Sequence, residues 1–121
     1  SEDGNYLILH VSQGTDERNR IFYQNLNHSS DSFIELIPEL KAQFHFVGNE
    51  GSVFWFFTDL NAPMGRLIAI DISNPKEENW KEIIPERNHA LREVHLTSGY
   101  FLCHYLKDIS SEVVLYQTTG E

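Results

Sequence analysis

Six histidines and one cysteine are the side chains of this sequence best suited to acid–base, nucleophilic or metal chemistry. The histidines are His10, His28, His45, His89, His95 and His104. No pair has the His-Glu-x-x-His spacing that places two ligands on one helix face. His10, His45, His95 and His104 fall in apolar, strand-like runs, where a hydrogen-bonded structural histidine is expected. His28 and His89 fall in loop-like sequence. Cys103 lies within Phe101-Leu102-Cys103-His104-Tyr105-Leu106. In a buried strand it is a small hydrophobe; on a channel wall it is a thiol beside a substrate path. Only His104 is close enough in sequence to lower its pKa, and neighbours on a strand point to opposite faces.

A serine nucleophile needs a Gly-x-Ser-x-Gly elbow between a strand and a helix. His10-Val11-Ser12-Gln13-Gly14 lacks the first glycine and the helix, and reads as a turn. Asp59-Leu60-Asn61 begins like a calcium loop but lacks the later acidic ligands. Asp16-Glu17-Arg18 and Lys76-Glu77-Glu78 read as solvated connections. Asn27-His28-Ser29 matches a glycosylation acceptor, a pattern common by chance. No catalytic centre, metal site or cofactor is expected, and the chain reads as scaffold.

Composition narrows the partners. The 121 residues carry 18 acidic and 9 basic side chains, a net charge of −9. That balance argues against nucleic acid and against an anionic membrane surface, both of which need clustered Lys and Arg. No apolar run reaches the roughly 20 residues of a bilayer-spanning helix. One cysteine excludes an internal disulfide framework. The start at Ser1-Glu2-Asp3-Gly4 has no initiator Met and no basic leader, so a piece of a longer chain is expected. A cytoplasmic location is expected, with the periplasm as alternative; a lone cysteine fits either.

The elements that must position these residues are strands. Short runs rich in Ile, Val, Phe and Tyr alternate with Gly, Asn, Asp, Ser and Pro. Ten strands are predicted, at about 5–12, 20–26, 33–37, 44–47, 52–58, 66–72, 80–84, 92–96, 100–106 and 112–117. Asp3-Gly4, Gly48-Asn49-Glu50-Gly51 and Ser98-Gly99 supply turn chemistry. A short helical turn is expected around Pro75–Asn79. Ser52–Phe57 is apolar on both faces, as in a strand sandwiched between two sheets, and Tyr6–Val11 and Phe101–Leu106 share that character.

A repeat organises the strands. Leu36-Ile37-Pro38-Glu39 recurs as Ile83-Ile84-Pro85-Glu86, with the prolines 47 residues apart. Gly4 and Gly51 are 47 apart, Gly51 and Gly99 are 48 apart, and Arg20 and Arg66 are 46 apart. A period of about 40 to 50 residues with four strands is that of a β-propeller blade. The expected fold is all-β: a partial β-propeller of about two and a half four-stranded antiparallel blades. With strands named A to D from the channel outward, the order is BCD–ABCD–ABC, in units at about 1–40, 41–88 and 89–121. An open arc leaves its end faces bare, so the isolated chain is expected to self-associate.

The ordered motifs resemble the propeller of the prolyl oligopeptidase family of serine peptidases. Ser1-Glu2-Asp3-Gly4-Asn5-Tyr6 looks like the family's blade start, followed by Asn19-Arg20-Ile21-Phe22-Tyr23. Asn49-Glu50-Gly51-Ser52-Val53-Phe54, Arg66-Leu67-Ile68-Ala69-Ile70-Asp71, Asn74-Pro75 and Trp80-Lys81-Glu82-Ile83-Ile84-Pro85-Glu86 follow in order, and Tyr105-Leu106-Lys107-Asp108 completes the series. The resemblance implies a parent enzyme with a seven-bladed propeller and an α/β-hydrolase domain carrying a Ser-Asp-His triad, none of which lies in this chain. It implies a propeller that admits only short proline-containing peptides to that serine. It also implies a cavity-lining cysteine on the strand matching Gly99–Leu106. Alignment on Tyr105-Leu106 puts that position at His104, with Cys103 one residue earlier, so both are substrate-cavity candidates. A non-enzymatic propeller that binds proteins is the alternative, though no WD or kelch signature is present. The propeller of an oligopeptidase B or an acylaminoacyl peptidase is another.

Overall fold

A computed structural model describes residues 1–27, 32–107 and 110–120. Three antiparallel sheets follow one another along the chain. The first holds β1 (Tyr6–Ser12), β2 (Asn19–Asn25) and β3 (Ile34–Ile37) in that order. The second holds β4 (Phe44–Glu50), β5 (Val53–Thr58), β6 (Arg66–Asp71) and β7 (Lys81–Ile84). The third holds β8 (Ala90–Thr97), β9 (Tyr100–Lys107) and β10 (Ser110–Gln117). Within each sheet every strand pairs with its neighbour in sequence, the arrangement that antiparallel connections allow. The expected helical turn is a single 3-10 turn, Glu77–Asn79, where the Trp80 indole donates to the Pro75 carbonyl at 2.9 Å.

Three strands, β4, β8 and β10, differ from the expected bounds by two residues or more, β10 by starting at Ser110. Gly48-Asn49-Glu50, read as turn, continues β4, and only Gly51 and Ser52 lie between the paired residues Glu50 and Val53. A bulge between Phe46 and Gly48 absorbs the irregularity. A Cβ on Gly48 would stand 2.7 Å from an outer methyl of Leu96, so a larger residue there would need that side chain to swing aside. β8 begins at Ala90, ahead of its own bulge between Leu91 and Glu93.

The strand register refines the period. Glu50 pairs Val53 across one tight turn and Thr97 pairs Tyr100 across the next, 47 residues later. Gly51 and Gly99, spaced 48 apart, occupy different places in their turns; the structural mate of Gly51 is Ser98, which takes φ 48° without being glycine. Val53 pairs Asp71 just as Tyr6 pairs Asn25 and Tyr100 pairs Gln117. Tyr6, Val53 and Tyr100 are therefore equivalent positions.

That equivalence sorts the side chains. On β5, Phe54 and Phe56 pack toward the first sheet while Val53, Trp55 and Phe57 pack toward the third. β6 does the same, with Ile68 and Ile70 on one side and Leu67 and Ala69 on the other. The middle sheet is the sandwiched one, so β5 has no polar face. Two cores result, one in each seam. The end sheets lack a neighbour on one side. Leu7 and Leu9, the mates of Phe54 and Phe56, are 47% and 43% exposed, and Val113 and Leu115 on β10 are 59% and 55% exposed. The apolar pairing of both faces of β1 and β9 is real in sequence, but only one face of each is covered.

Candidate functional site

The seam between the second and third sheets holds Cys103. β9 places Phe101, Cys103 and Tyr105 on its inner face, all essentially without solvent exposure, against Trp55, Leu67, Ala69 and Ile84. The Trp55 and Phe101 rings meet edge to face at 5.1 Å. Burial pushes the Cys103 thiol up to about 11, with Arg87 opposing the shift only partly. A thiol so protonated near neutral pH is a packing group and a poor nucleophile. His104, next along the strand, points to the opposite, outward face of the third sheet and is half-buried. The two residues are therefore not brought together.

The rim of this seam is polar. The Arg87 guanidinium lies 4.5 Å from the centroid of the Tyr105 ring and donates to Glu112 Oε1 at 3.1 Å. Among the described residues the buried Tyr105 hydroxyl has no hydrogen-bond partner, and burial raises its pKa well above that of a free tyrosine.

The seam between the first and second sheets is built differently. Asn19, 6% exposed, opens β2 and reaches β4 with both ends of its amide. Its Nδ2 donates to the Phe44 carbonyl at 2.8 Å and its Oδ1 accepts from the Phe44 N–H at 2.7 Å. Its own backbone N–H donates to the Ala42 carbonyl at 3.0 Å. The amide thus imitates a strand backbone and joins two sheets that share no ladder. Beside it, Tyr6, Tyr23, Phe46, Phe54 and Phe56 form an edge-to-face cluster.

The histidines separate into roles. The Phe46 N–H donates to His10 Nε2 at 3.1 Å, and the rings of His10 and His45 lie 5.6 Å apart. His10 lies in a hollow of about 720 Å3 bounded by Glu2, Asp3, Leu7, Phe46 and Leu96. Asp3 accepts from the Ser1 hydroxyl, the Asn5 N–H and Asn49 Nδ2, which hold its carboxyl far below the usual range. His95 lies 3.3 Å from Glu93 Oε2 at the surface. His89 occupies the connection between β7 and β8; Asn27 of the acceptor pattern donates from Nδ2 to Asn5 Oδ1 at 2.7 Å, while His28 and Ser29 lie outside the described residues.

The other sequence candidates resolve into local structure. Ser12 ends β1, and Gln13-Gly14 turns the chain, with the Asp16 N–H donating to the Gln13 carbonyl at 3.0 Å. Asp59 Oδ1 accepts from the Gln43 N–H at 2.8 Å, a structural task for the carboxylate of the calcium-like sequence. Asp16 is paired with Arg18 at 2.7 Å, and Lys41 stands over Trp80 while pairing with Glu77. Among the described residues no group of three or more His, Cys, Asp or Glu is placed to hold a metal ion, and no helix is long and apolar enough to cross a membrane. Sequence reasoning missed the structural roles of Asn19, quoted only within a motif, and of Asp59, read only as a calcium-like start, and it passed over Arg87.

Known proteins share this arrangement. The family model described as prolyl oligopeptidase, N-terminal beta-propeller domain, matches residues 1–121. A prolyl endopeptidase of Elizabethkingia miricola is 33% identical over 121 residues, covering 100% of this chain and 17% of that protein. A dual function macrocyclase-peptidase of Galerina marginata is 31% identical over 126 residues, covering 99% of this chain and 17% of that protein. A solved structure from a study of two prolyl endopeptidases superposes with a TM-score of 0.90 at 29% identity, over 100% of this chain and 17% of that one. Prolyl oligopeptidase B from Galerina marginata, bound to a 35mer hydrolysis and macrocyclization substrate, superposes with a TM-score of 0.90 at 31% identity, over 99% of this chain and 18% of that one. The chain spans about 17% of the length of the curated relatives it matches. With three successive antiparallel sheets joined face to face and a family match from end to end, the chain belongs to the N-terminal β-propeller domain family of prolyl oligopeptidase.

Proposed function

We propose that this chain is part of the substrate-gating propeller of a prolyl oligopeptidase-like serine endopeptidase that cleaves short peptides after proline. It supplies about two and a half blades, ordered BCD–ABCD–ABC, and none of the catalytic triad. The observation that carries this reading is the family match over all 121 residues joined to the two bare end faces. Leu7 and Leu9 on one end and Leu102, Val113 and Leu115 on the other are the register mates or neighbours of residues that the middle sheet buries. Further blades of the same longer protein are the natural cover for them. The hydrolase domain is its partner within that protein, and proline-containing peptides are the substrates.

Of the two cavity candidates, His104 keeps an accessible face and Cys103 is assigned to packing. His104 is also the register mate of His10 and Phe57, residues that meet the following sheet. Any contact of His104 with peptide therefore lies at the edge of a blade-to-blade seam.

The test is a cleavage assay on a proline-containing chromogenic peptide. The longer protein should cleave it after proline and spare a large folded protein bearing the same sequence, while the 121-residue chain should be inactive. A longer protein without proline-directed cleavage would overturn the enzyme reading in favour of a binding platform. Cleavage after basic residues or removal of acylated residues would move the specificity to the related peptidases.

A further inference from the structure

The seam between the first two sheets contains a hydrogen bond whose acceptor is a titratable nitrogen. β4 is an edge strand, so its N–H groups that face away from β5 have no ladder partner and must be satisfied elsewhere. At Phe46, beside the bulge, that partner is His10 Nε2 at 3.1 Å, reaching across from β1. A backbone N–H can only donate, so Nε2 must be the bare nitrogen of a neutral ring with its proton on Nδ1. The Asn19 amide ties the same two strands' sheets, but its two bonds are indifferent to pH.

We propose that His10 is an acid-released latch between the first and second sheets: neutral, it holds the Phe46 N–H, and protonated, it lets that group go.

The surroundings fit this sense. Desolvation and, after it, the neighbouring His45 ring lower the pKa of His10 from its ordinary 6.5. A lowered value means the fold favours the neutral ring. The contribution is complete above pH 6.5 and is lost as pH falls through the lowered value. The charged groups that share the hollow are the Ser1 amino group, Glu2 and Asp3 on the turn before β1, with His45 facing from β4. The Ser1 amino group donates to the Tyr6 carbonyl, and Asp3 is occupied by Ser1, Asn5 and Asn49. A second charge on His45 at 5.6 Å would add to the repulsion. The inference concerns a contact within this chain and stands whether or not the parent is a peptidase.

The test is nuclear magnetic resonance on the 121-residue chain. Long-range nitrogen correlations should show His10 as the Nδ1–H tautomer, titrating below pH 6.5. The Phe46 amide, corrected for intrinsic exchange, should lose about tenfold of its protection between pH 7.5 and pH 5. In His10→Phe, a change the fold should accept because Phe57 holds the equivalent position, Phe46 should be poorly protected at both pH values. An Nε2–H tautomer would overturn the proposal, as would unchanged Phe46 protection in the native chain at pH 5. The same pH dependence in His10→Phe would overturn it too, by placing the sensitivity elsewhere. If His10→Phe fails to fold, His10→Gln, whose carbonyl can accept, should keep Phe46 protected at pH 5.

Discussion

The two seams of this molecule solve the same packing problem with different materials. The first is an aromatic cluster fastened by an amide and an imidazole that reach across to backbone groups of β4. The second has Trp55 against Phe101 as its ring pair among the described residues, closes around glycines, and keeps its polar groups at one rim. At the first seam the edge of β4 is bonded directly; at the second, the Leu96 side chain packs against Gly48. A repeat thus conserves the path of the chain while leaving each joint its own chemistry. The first joint depends on hydrogen bonds with fixed geometry, the second on shape.

The sharpest way to break that contrast is to delete one ring on each side. Phe54 meets Tyr6, Tyr23, Phe46 and Phe56 edge to face or tilted, whereas Phe101 meets Trp55. Edge-to-face pairs add about 0.5–1.5 kcal/mol beyond burial. Phe54→Ala should therefore cost about 5 kcal/mol in urea unfolding and Phe101→Ala about 3 kcal/mol; equal costs would remove the aromatic distinction.

Next in size is the amide. Asn19→Leu strands the Phe44 N–H and carbonyl, at about 1–3 kcal/mol for each group left unpaired, so a loss of about 2–4 kcal/mol is expected. A loss near zero would mean that the cluster alone holds the first seam. On the other side, Gly65 has φ +89° and a Cβ there would stand 2.7 Å from the Phe57 ring and 3.2 Å from Leu91. Gly65→Ala should cost about 1–3 kcal/mol, and a stabilised variant would contradict the close-packed account of the second seam. The smallest effect is kinetic. With its thiol raised from 9.0 to about 11, Cys103 should alkylate about a hundredfold more slowly at pH 8 than in urea-unfolded chain. Equal rates would place it outside the core.

Much of this was legible before any coordinates. The strands and the short helical turn follow from alternation and turn residues, which are local properties. Gly48 misled because glycine in a turn and glycine under a close contact look alike; Leu96, which packs against it, is 48 residues away. The offset between Gly51 and Gly99 misled for a related reason, since Ser98 adopts the positive φ usually left to glycine. The side on which each residue packs needs a period correct to one residue, and a slip of one flips every side chain. With the period at 47, Cys103 joins Phe56 in facing back and His104 joins Phe57 in facing forward. Asn19 and Arg87 could not be found by alternation, because their partners belong to other sheets or strands distant in sequence.

The central claim is that this chain is an open arc whose two end faces need neighbouring sheets. Sedimentation equilibrium of the 121-residue chain measures that need directly. The account predicts concentration-dependent association, abolished when Leu7, Leu102 and Leu115 are each replaced by Glu while the strand content by circular dichroism is kept. A native chain that stays monomeric across the accessible concentration range, with its sheets intact, would contradict it.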